Sequence, residues 1–204
     1  MSYLDFYNIW HHRICFNINQ VLAWDVSFQR SNLSRWINKG YIRKLRKEWY
    51  IFSDCLSYPG IQYLIANKIY APSYVSLQSA LCFYGIIPES VVDVTSVSAR
   101  DTKHFESPLG LCFYSKIKRE LFFGYRIMEF DKIGAIKFAT PEKAILDFLY
   151  FNSFYNTQKD MIELRFDETF MQEELDRDLL FSLLSRFNNK RLENRITTLI
   201  DSYS

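Results

Sequence analysis

Cys15–Phe52 reads CFNINQVLAWDVSFQRSNLSRWINKGYIRKLRKEWYIF, and the fold turns on this stretch. Ile18, Val21 and Leu22 fall at i, i+3 and i+4, one face of a helix. Asn17 stands before them as a cap, with Gln20 at the third helical position, the amide relative of a capping box. Asp25-Val26-Ser27 breaks the pattern, and Ser27 supplies a cap for a second helix. That helix is expected to run to Lys39 and to stop at Gly40, the residue type favoured just past a helix end. Val26, Leu33, Trp36 and Ile37 share its inner face. Ser31, Asn32, Ser34, Arg35 and Asn38 share the outer one, groups that donate to or accept from base edges and phosphates with no acid among them.

Tyr41–Leu45 and Trp49–Phe52 follow as short β-prone runs joined by a tight basic turn, Arg46-Lys47-Glu48. A helix with a polar outer face leading directly into a basic hairpin predicts a winged helix-turn-helix, in which the helix enters the major groove and the hairpin lays cations along the phosphates. The residues expected to meet DNA are Ser31, Asn32, Ser34, Arg35, Asn38 and Lys39 on the helix, and Arg43, Lys44, Arg46 and Lys47 on the hairpin.

Charge distribution agrees. The whole chain of 204 residues carries a formal net charge of only +2. From Val26 to Ser53, however, seven basic residues stand against the single acid Glu48, a local net of +6. From Asp160 to Asp178 eight acids stand against Arg165 and Arg177, a local net of −6. The two ends are built for different surroundings. With 49% hydrophobic and 18% aromatic residues the chain can bury a real core. No apolar run is long enough to span a bilayer and no basic-then-apolar leader opens the sequence, so a cytoplasmic protein without membrane contact is expected. Cys15, Cys55, Cys82 and Cys112 lie far apart, without CxxC or zinc-type spacing, and read as small apolar residues. His11 and His12, being adjacent, point to different sides of any regular element. Neither a metal nor a cofactor is expected.

A family resemblance rests on specific runs. Ser34-Arg35-Trp36-Ile37-Asn38-Lys39-Gly40-Tyr41-Ile42 leading to Leu45-Arg46-Lys47-Glu48-Trp49-Tyr50 is similar to the N-terminal part of the AbiEi-type antitoxins, the regulator halves of type IV toxin–antitoxin operons. Ile65-Ala66-Asn67-Lys68-Ile69-Tyr70, Pro72–Leu81, Tyr84-Gly85-Ile86-Ile87-Pro88-Glu89, Phe122-Phe123-Gly124-Tyr125 and Ala139–Asp147 continue it in the family's order. The resemblance implies a DNA-binding domain over residues 1–55 that represses its own operon from its operator. It implies an antitoxin domain over 56–204 that opposes a nucleotidyltransferase-like toxin without a stable complex. One departure stands out: where relatives carry Gly in the hairpin turn, two residues before the Tyr, this chain has Glu48, which takes φ > 0 only at a cost.

Beyond the hairpin, Pro59-Gly60 marks a turn, and Ile61–Tyr70 reads as a helix with Leu64, Ile65 and Ile69 inward, ended by Pro72. Ser76 is expected to cap a further helix closed by Gly85, with Leu77, Ala80, Leu81 and Tyr84 on one face. Strands are expected over Val91–Ala99, Leu111–Lys116, Tyr125–Phe130 and Ile136–Phe138. Basic and aromatic residues interleave there (Arg100, Lys103, His104, Lys116, Lys118, Arg119, Arg126, Lys132 and Lys137 with Phe113, Tyr114, Phe122, Phe123 and Tyr125), a pattern open to a second nucleic-acid surface but accounted for more simply by alternation on a half-buried sheet. Thr140-Pro141-Glu142 starts a core helix, on whose surface Lys143 and Asp147 are expected to pair. The last fifty residues are helical in pattern, with a basic stripe of Arg186, Lys190, Arg191 and Arg195. The fold class is therefore α+β, a winged helix-turn-helix followed by a mixed α/β domain ending in helices, and the chain is not expected to be an enzyme. A nucleotide-processing enzyme on a winged helix lacks its Gly-rich loop and spaced acids. A protein-interaction module without DNA binding is the other alternative.

Overall fold

Trp36, Phe16, Phe52 and Phe6 are among the largest side chains with almost no exposure, and the N-terminal third is wrapped around them. In the computed structural model, which describes residues Met1–Ser204, helix α1 (Tyr3–Trp10) comes first, opened by a capping box between Ser2 and Asp5. Strand β1 (Cys15–Asn17), helices α2 (Ile18–Trp24) and α3 (Ser31–Asn38), and strands β2 (Ile42–Arg46) and β3 (Trp49–Phe52) follow. The three strands form one antiparallel sheet in the order β1-β3-β2, with Cys15 opposite Ile51 and Ile42 opposite Phe52. Phe6 of α1 meets Phe16, Phe28, Trp36 and Phe52 at ring-centroid distances of 4.8–5.9 Å, tying helices and sheet together.

The Asn17–Gln20 capping box is present, as expected. Ser27 is not a cap. Its amide and hydroxyl both bond Asp25 Oδ1, at 2.9 and 2.6 Å, so an Asp-centred turn occupies it and α3 begins four residues later without a side-chain cap. Val26 consequently lies outside the helix and is 89% exposed rather than on its inner face. Leu33 and Trp36 are buried as expected. Neither α1 nor β1 was anticipated from sequence. Phe6 and Trp10 are the buried pair of α1, while Leu4 and Ile9 are apolar yet exposed, which blurs the 3.6-residue period.

A 3-10 turn, Ser53–Ser57, leads through Pro59-Gly60 into α4 (Ile61–Ile69). Gly60 holds φ +80, and a Cβ there would come within 2.8 Å of the Phe130 ring. A six-stranded mixed sheet follows, built from β4 (Ser73–Val75), β5 (Val94–Ser98), β6 (Lys103–Ser107), β7 (Gly110–Lys116), β8 (Tyr125–Phe130) and β9 (Gly134–Ala139), in the spatial order β6-β7-β5-β4-β9-β8. The central strand β4 is buried throughout. Its Tyr74 reaches Asp147 of helix α6 (Pro141–Phe151), while Val75, in register with Phe138, shares the face on which Phe138 meets Tyr63 of α4. Successive strand residues face opposite ways, so α4 and α6 cover opposite faces of the sheet. β4 and β6 escaped the sequence reading: β4 is three residues long, and β6 is an edge strand of charged and polar residues with little alternation.

Helix α5 (Leu77–Phe83) packs on α6, and helices α7 (Gln158–Glu163), α8 (Arg177–Ser185) and α9 (Lys190–Ser202), with a π-helical turn at Phe170–Glu174, complete the C-terminal end. Several residues of the acidic stretch have structural tasks there. Asp160 completes the capping box that Thr157 opens on α7, Asp176 caps α8, and Asp167 accepts from the Phe170 amide at 2.7 Å. Of the basic stripe, Arg195 is buried and donates to the Ser153 carbonyl just past α6, and Arg186 lies 3.6 Å above the Phe123 ring. No helix is long and apolar enough to cross a membrane. The architecture is mixed α+β with one continuous apolar core, running from Phe6 to Tyr203.

Candidate nucleic-acid interface

The outer face of α3 is the first half of the candidate surface. Ser31, Ser34, Arg35, Asn38 and Lys39 are exposed on it. The helix ends as the sequence suggests: Gly40 adopts φ +74 with open space where a Cβ would stand, and the Gly40 amide donates to Ile37. Asn32 departs from expectation. It is only 9% exposed, and its Oδ1 accepts from the Arg35 guanidinium at 2.8 Å. Asn32 thus orients Arg35 from one turn below and is not itself offered to a ligand. The side-chain periodicity put Asn32 outward, but it lies at the flank of the helix beside Leu33, where burial begins.

The hairpin is the second half. Arg43, Lys44 and Lys47 are exposed, so three of the four predicted cations face solvent. Arg46 does not. It is half-buried, its guanidinium donates to the Ile69 carbonyl at 2.6 Å, and its Cζ lies 4.1 Å from the Phe105 ring of β6. β2 packs along β6, and Arg46 bridges from the first sheet to the edge of the second. Spacing alone could not separate it from its neighbours, because the ladder shifts register between Lys44 and Arg46 and turns Arg46 to the other face. Glu48 takes the left-handed conformation the turn demands, φ 68. Its carbonyl accepts from Ile18 at 2.8 Å and its carboxylate from Asn19 at 3.3 Å, which ties the hairpin tip to α2. β6, beside β2, adds exposed Lys103 and His104, which the sequence placed in a separate region.

No protein-family model matches the chain, and a search of curated proteins finds no match.

A second polar constellation lies in the interior. Lys143 and Asp147 pair at 2.5 Å, but both side chains are fully buried, not on the helix surface. Asp147 Oδ2 also accepts from Tyr74 at 2.9 Å and from Ser76 at 2.8 Å, and Lys143 donates to the Leu121 carbonyl at 3.2 Å. The ammonium lies 4.6–4.7 Å from the Phe123 and Phe187 ring centroids. Burial pushes the Lys143 amine down and the Asp147 carboxyl up, each opposed by the charge of the other. The same burial holds the Tyr74 hydroxyl well above its ordinary value, reinforced by Asp147. Ser76 stands at the N-cap position of α5, where the sequence places it, but makes no capping bond; its hydroxyl donates to Asp147 instead. Ser79 likewise turns inward, donating to the Asp93 carbonyl and accepting from the Thr95 amide. Sealed in this way, these hydroxyls and the Asp147 carboxylate tie α5, α6 and β4 together in the interior.

Proposed function

We propose that this protein binds double-stranded DNA through residues 1–55 acting as a winged helix-turn-helix, and that it serves as an autoregulating antitoxin. The observation that carries the reading is the juxtaposition, on consecutive elements, of an acid-free polar helix face (Ser31, Ser34, Arg35, Asn38, Lys39) and a solvent-facing cationic hairpin (Arg43, Lys44, Lys47). The element order α1-β1-α2-α3-β2-β3, with a β1-β3-β2 sheet, supports it. In this arrangement α3 enters the major groove. Arg35, braced by Asn32, reads guanine edges, and Lys44 and Lys47 neutralise phosphates on either side. Lys103 and His104 of β6 lengthen the cationic track beyond the hairpin. The remainder, residues 56–204, is the antitoxin portion. Its target, a nucleotidyltransferase-like toxin opposed without a stable complex, is inferred from the AbiEi-like runs in the sequence.

A binding assay on the DNA upstream of the chain's own reading frame tests the first half. The expected affinity exceeds that for random DNA by at least about a thousandfold and falls steeply with salt. Equal affinity for upstream and random DNA overturns the regulator. Expression of the adjacent reading frame tests the second half: growth arrest relieved by this chain is expected, and arrest that persists overturns the antitoxin.

A further inference from the structure

The polypeptide leaves α1 at Trp10 with His11 as the capping residue, and it returns to the same place forty-three residues later through Asp54 and Cys55 on the 3-10 turn after β3. His11 Nε2 stands 2.8 Å from Asp54 Oδ2 and 3.3 Å from Cys55 Sγ, and Asp54 Oδ1 is 3.9 Å from the same sulfur. One nitrogen, one oxygen and one sulfur therefore lie within 4.8 Å of one another. A proton relay is arranged differently: its carboxylate holds the ring nitrogen opposite the one that faces the nucleophile. Here carboxylate and sulfur both converge on Nε2, so neither uses the imidazole to reach the other. Three donors of these types gathered so closely are what a cation requires. Tetrahedral zinc, with bonds of about 2.3 Å to sulfur and about 2.0–2.2 Å to nitrogen and oxygen, sets ligand-to-ligand edges of about 3.3–3.6 Å. The nitrogen-to-sulfur separation of 3.3 Å matches such an edge, and the two Asp54 oxygens stand at 2.8 Å from the nitrogen and 3.9 Å from the sulfur, on either side of it.

We propose that His11 Nε2, the Asp54 carboxylate and Cys55 Sγ form a three-ligand site for a divalent cation of the zinc class, its fourth position open to water. The donor set selects the ion: sulfur and imidazole suit zinc or cobalt and not magnesium or calcium. Access is present on one side only, since Cys55 is buried while the Asp54 side chain is 47% exposed. Tyr7 braces the site from outside. Its ring stacks on His11 at 4.2 Å, and its hydroxyl donates to Asp54 Oδ2 at 2.8 Å, the pattern by which neighbouring groups orient metal ligands. Ile14 fixes the approach of the two segments. It holds φ 66, unusual for a β-branched residue, while its amide donates to the His11 carbonyl and its carbonyl accepts from Phe52, the last residue of β3. On binding, the cation takes the place of the hydrogen bond between His11 Nε2 and Asp54: the Nε2 proton passes to solvent while Nδ1 takes one up, so the imidazole stays neutral. The S–H bond breaks with its proton passing to solvent, and metal–nitrogen and metal–sulfur bonds form. Spacing along the chain hides the site, because Asp54 and Cys55 come forty-three and forty-four residues after His11. This inference is independent of DNA binding.

Titrating the metal-stripped full-length protein with Co2+ tests it. Saturable one-to-one binding is expected, with a thiolate-to-cobalt charge-transfer absorption that Zn2+ displaces. Zn2+ at a hundredfold excess over its Kd should raise the melting temperature by roughly 5–10 °C. C55S should abolish the absorption, C82S should leave it intact, and Y7F should weaken Co2+ binding about tenfold. D54N, which removes the charge but keeps an oxygen acceptor for the Tyr7 hydroxyl, should weaken it more. The site is overturned if the wild type shows no saturable Co2+ binding, if the absorption survives in C55S, or if D54N binds Co2+ as the wild type does.

Discussion

Lys143 and Asp147 illustrate how much a single residue's setting departs from its spacing. The i, i+4 separation correctly marked them as a pair, yet the same spacing on the outside of a helix is worth a few tenths of a kcal/mol and here it lies in the core. Replacing Lys143 with Met leaves the Asp147 carboxyl with Tyr74 and Ser76 alone. The expected loss is about 3–5 kcal/mol, measured by chemical denaturation, and removing both partners together should cost less than the two single changes added. Asp160 gives the opposite case at an exposed site. It accepts from the amides of Asn156 and Thr157, and these bonds, with the Thr157 hydroxyl, hold its carboxyl below the usual carboxylate value. A depressed folded-state value means stability that is complete above the unfolded value, near pH 4, and is lost as pH falls through the folded one. Asp160→Ala should therefore melt below the wild type at pH 7, and the two melting curves should converge in acid. A constant gap at all pH values would mean that the charge plays no part.

Among elements, the hairpin separates two kinds of cation that look alike in sequence. Lys44→Ala with Lys47→Ala should weaken DNA binding on every sequence and flatten the slope of log affinity against log salt by about 2. Arg35→Ala should instead erode discrimination between sequences, and Asn32→Ala should follow it in weaker form, since Asn32 acts by holding Arg35. Unchanged selectivity in Arg35→Ala would remove α3 from base recognition. Glu48 offers a further test. At φ 68 it bears a strain that glycine lacks, and Glu48→Gly should stabilise the protein by roughly 0.5–1 kcal/mol, offset in part by the lost bond to Asn19. The reading of residues 17–52 as helix, helix and hairpin was legible because each element carries its own punctuation: Asn17 and Gln20 at a helix start, Gly40 at a helix end, alternation in the strands. Ser27, Val26, Asn32 and Arg46 were not, because each is decided by a partner. Asp25 claims the first and so displaces the second from the helix, Arg35 claims the third, and Phe105 claims the last.

Across the whole molecule, Arg46 joins what the sequence divided at residue 55. Its position between the Ile69 carbonyl and the Phe105 ring makes the first sheet and the edge of the second lean on each other. Arg46→Ala should lower stability by about 1–2 kcal/mol while leaving DNA affinity near that of the wild type, the reverse of the lysine changes, as thermal melts and binding assays on one preparation would show. Long-range order of this kind, including the six-strand arrangement and the meeting of His11 with Asp54 and Cys55, depends on which segments pack across forty residues or more, and local periodicity does not carry that information. The charge asymmetry was legible in amount but not in use, because Asp160, Asp167 and Asp176 spend their charge on helix caps and turns.

The enclosure of Lys143 has a practical corollary. An amine-reactive reagent will tag the lysines that stand in water within minutes, but it reaches this ammonium only when the interior opens around it. The pace at which Lys143 acquires the label is thus an internal clock for opening of the core, readable by mass spectrometry from a single tryptic peptide.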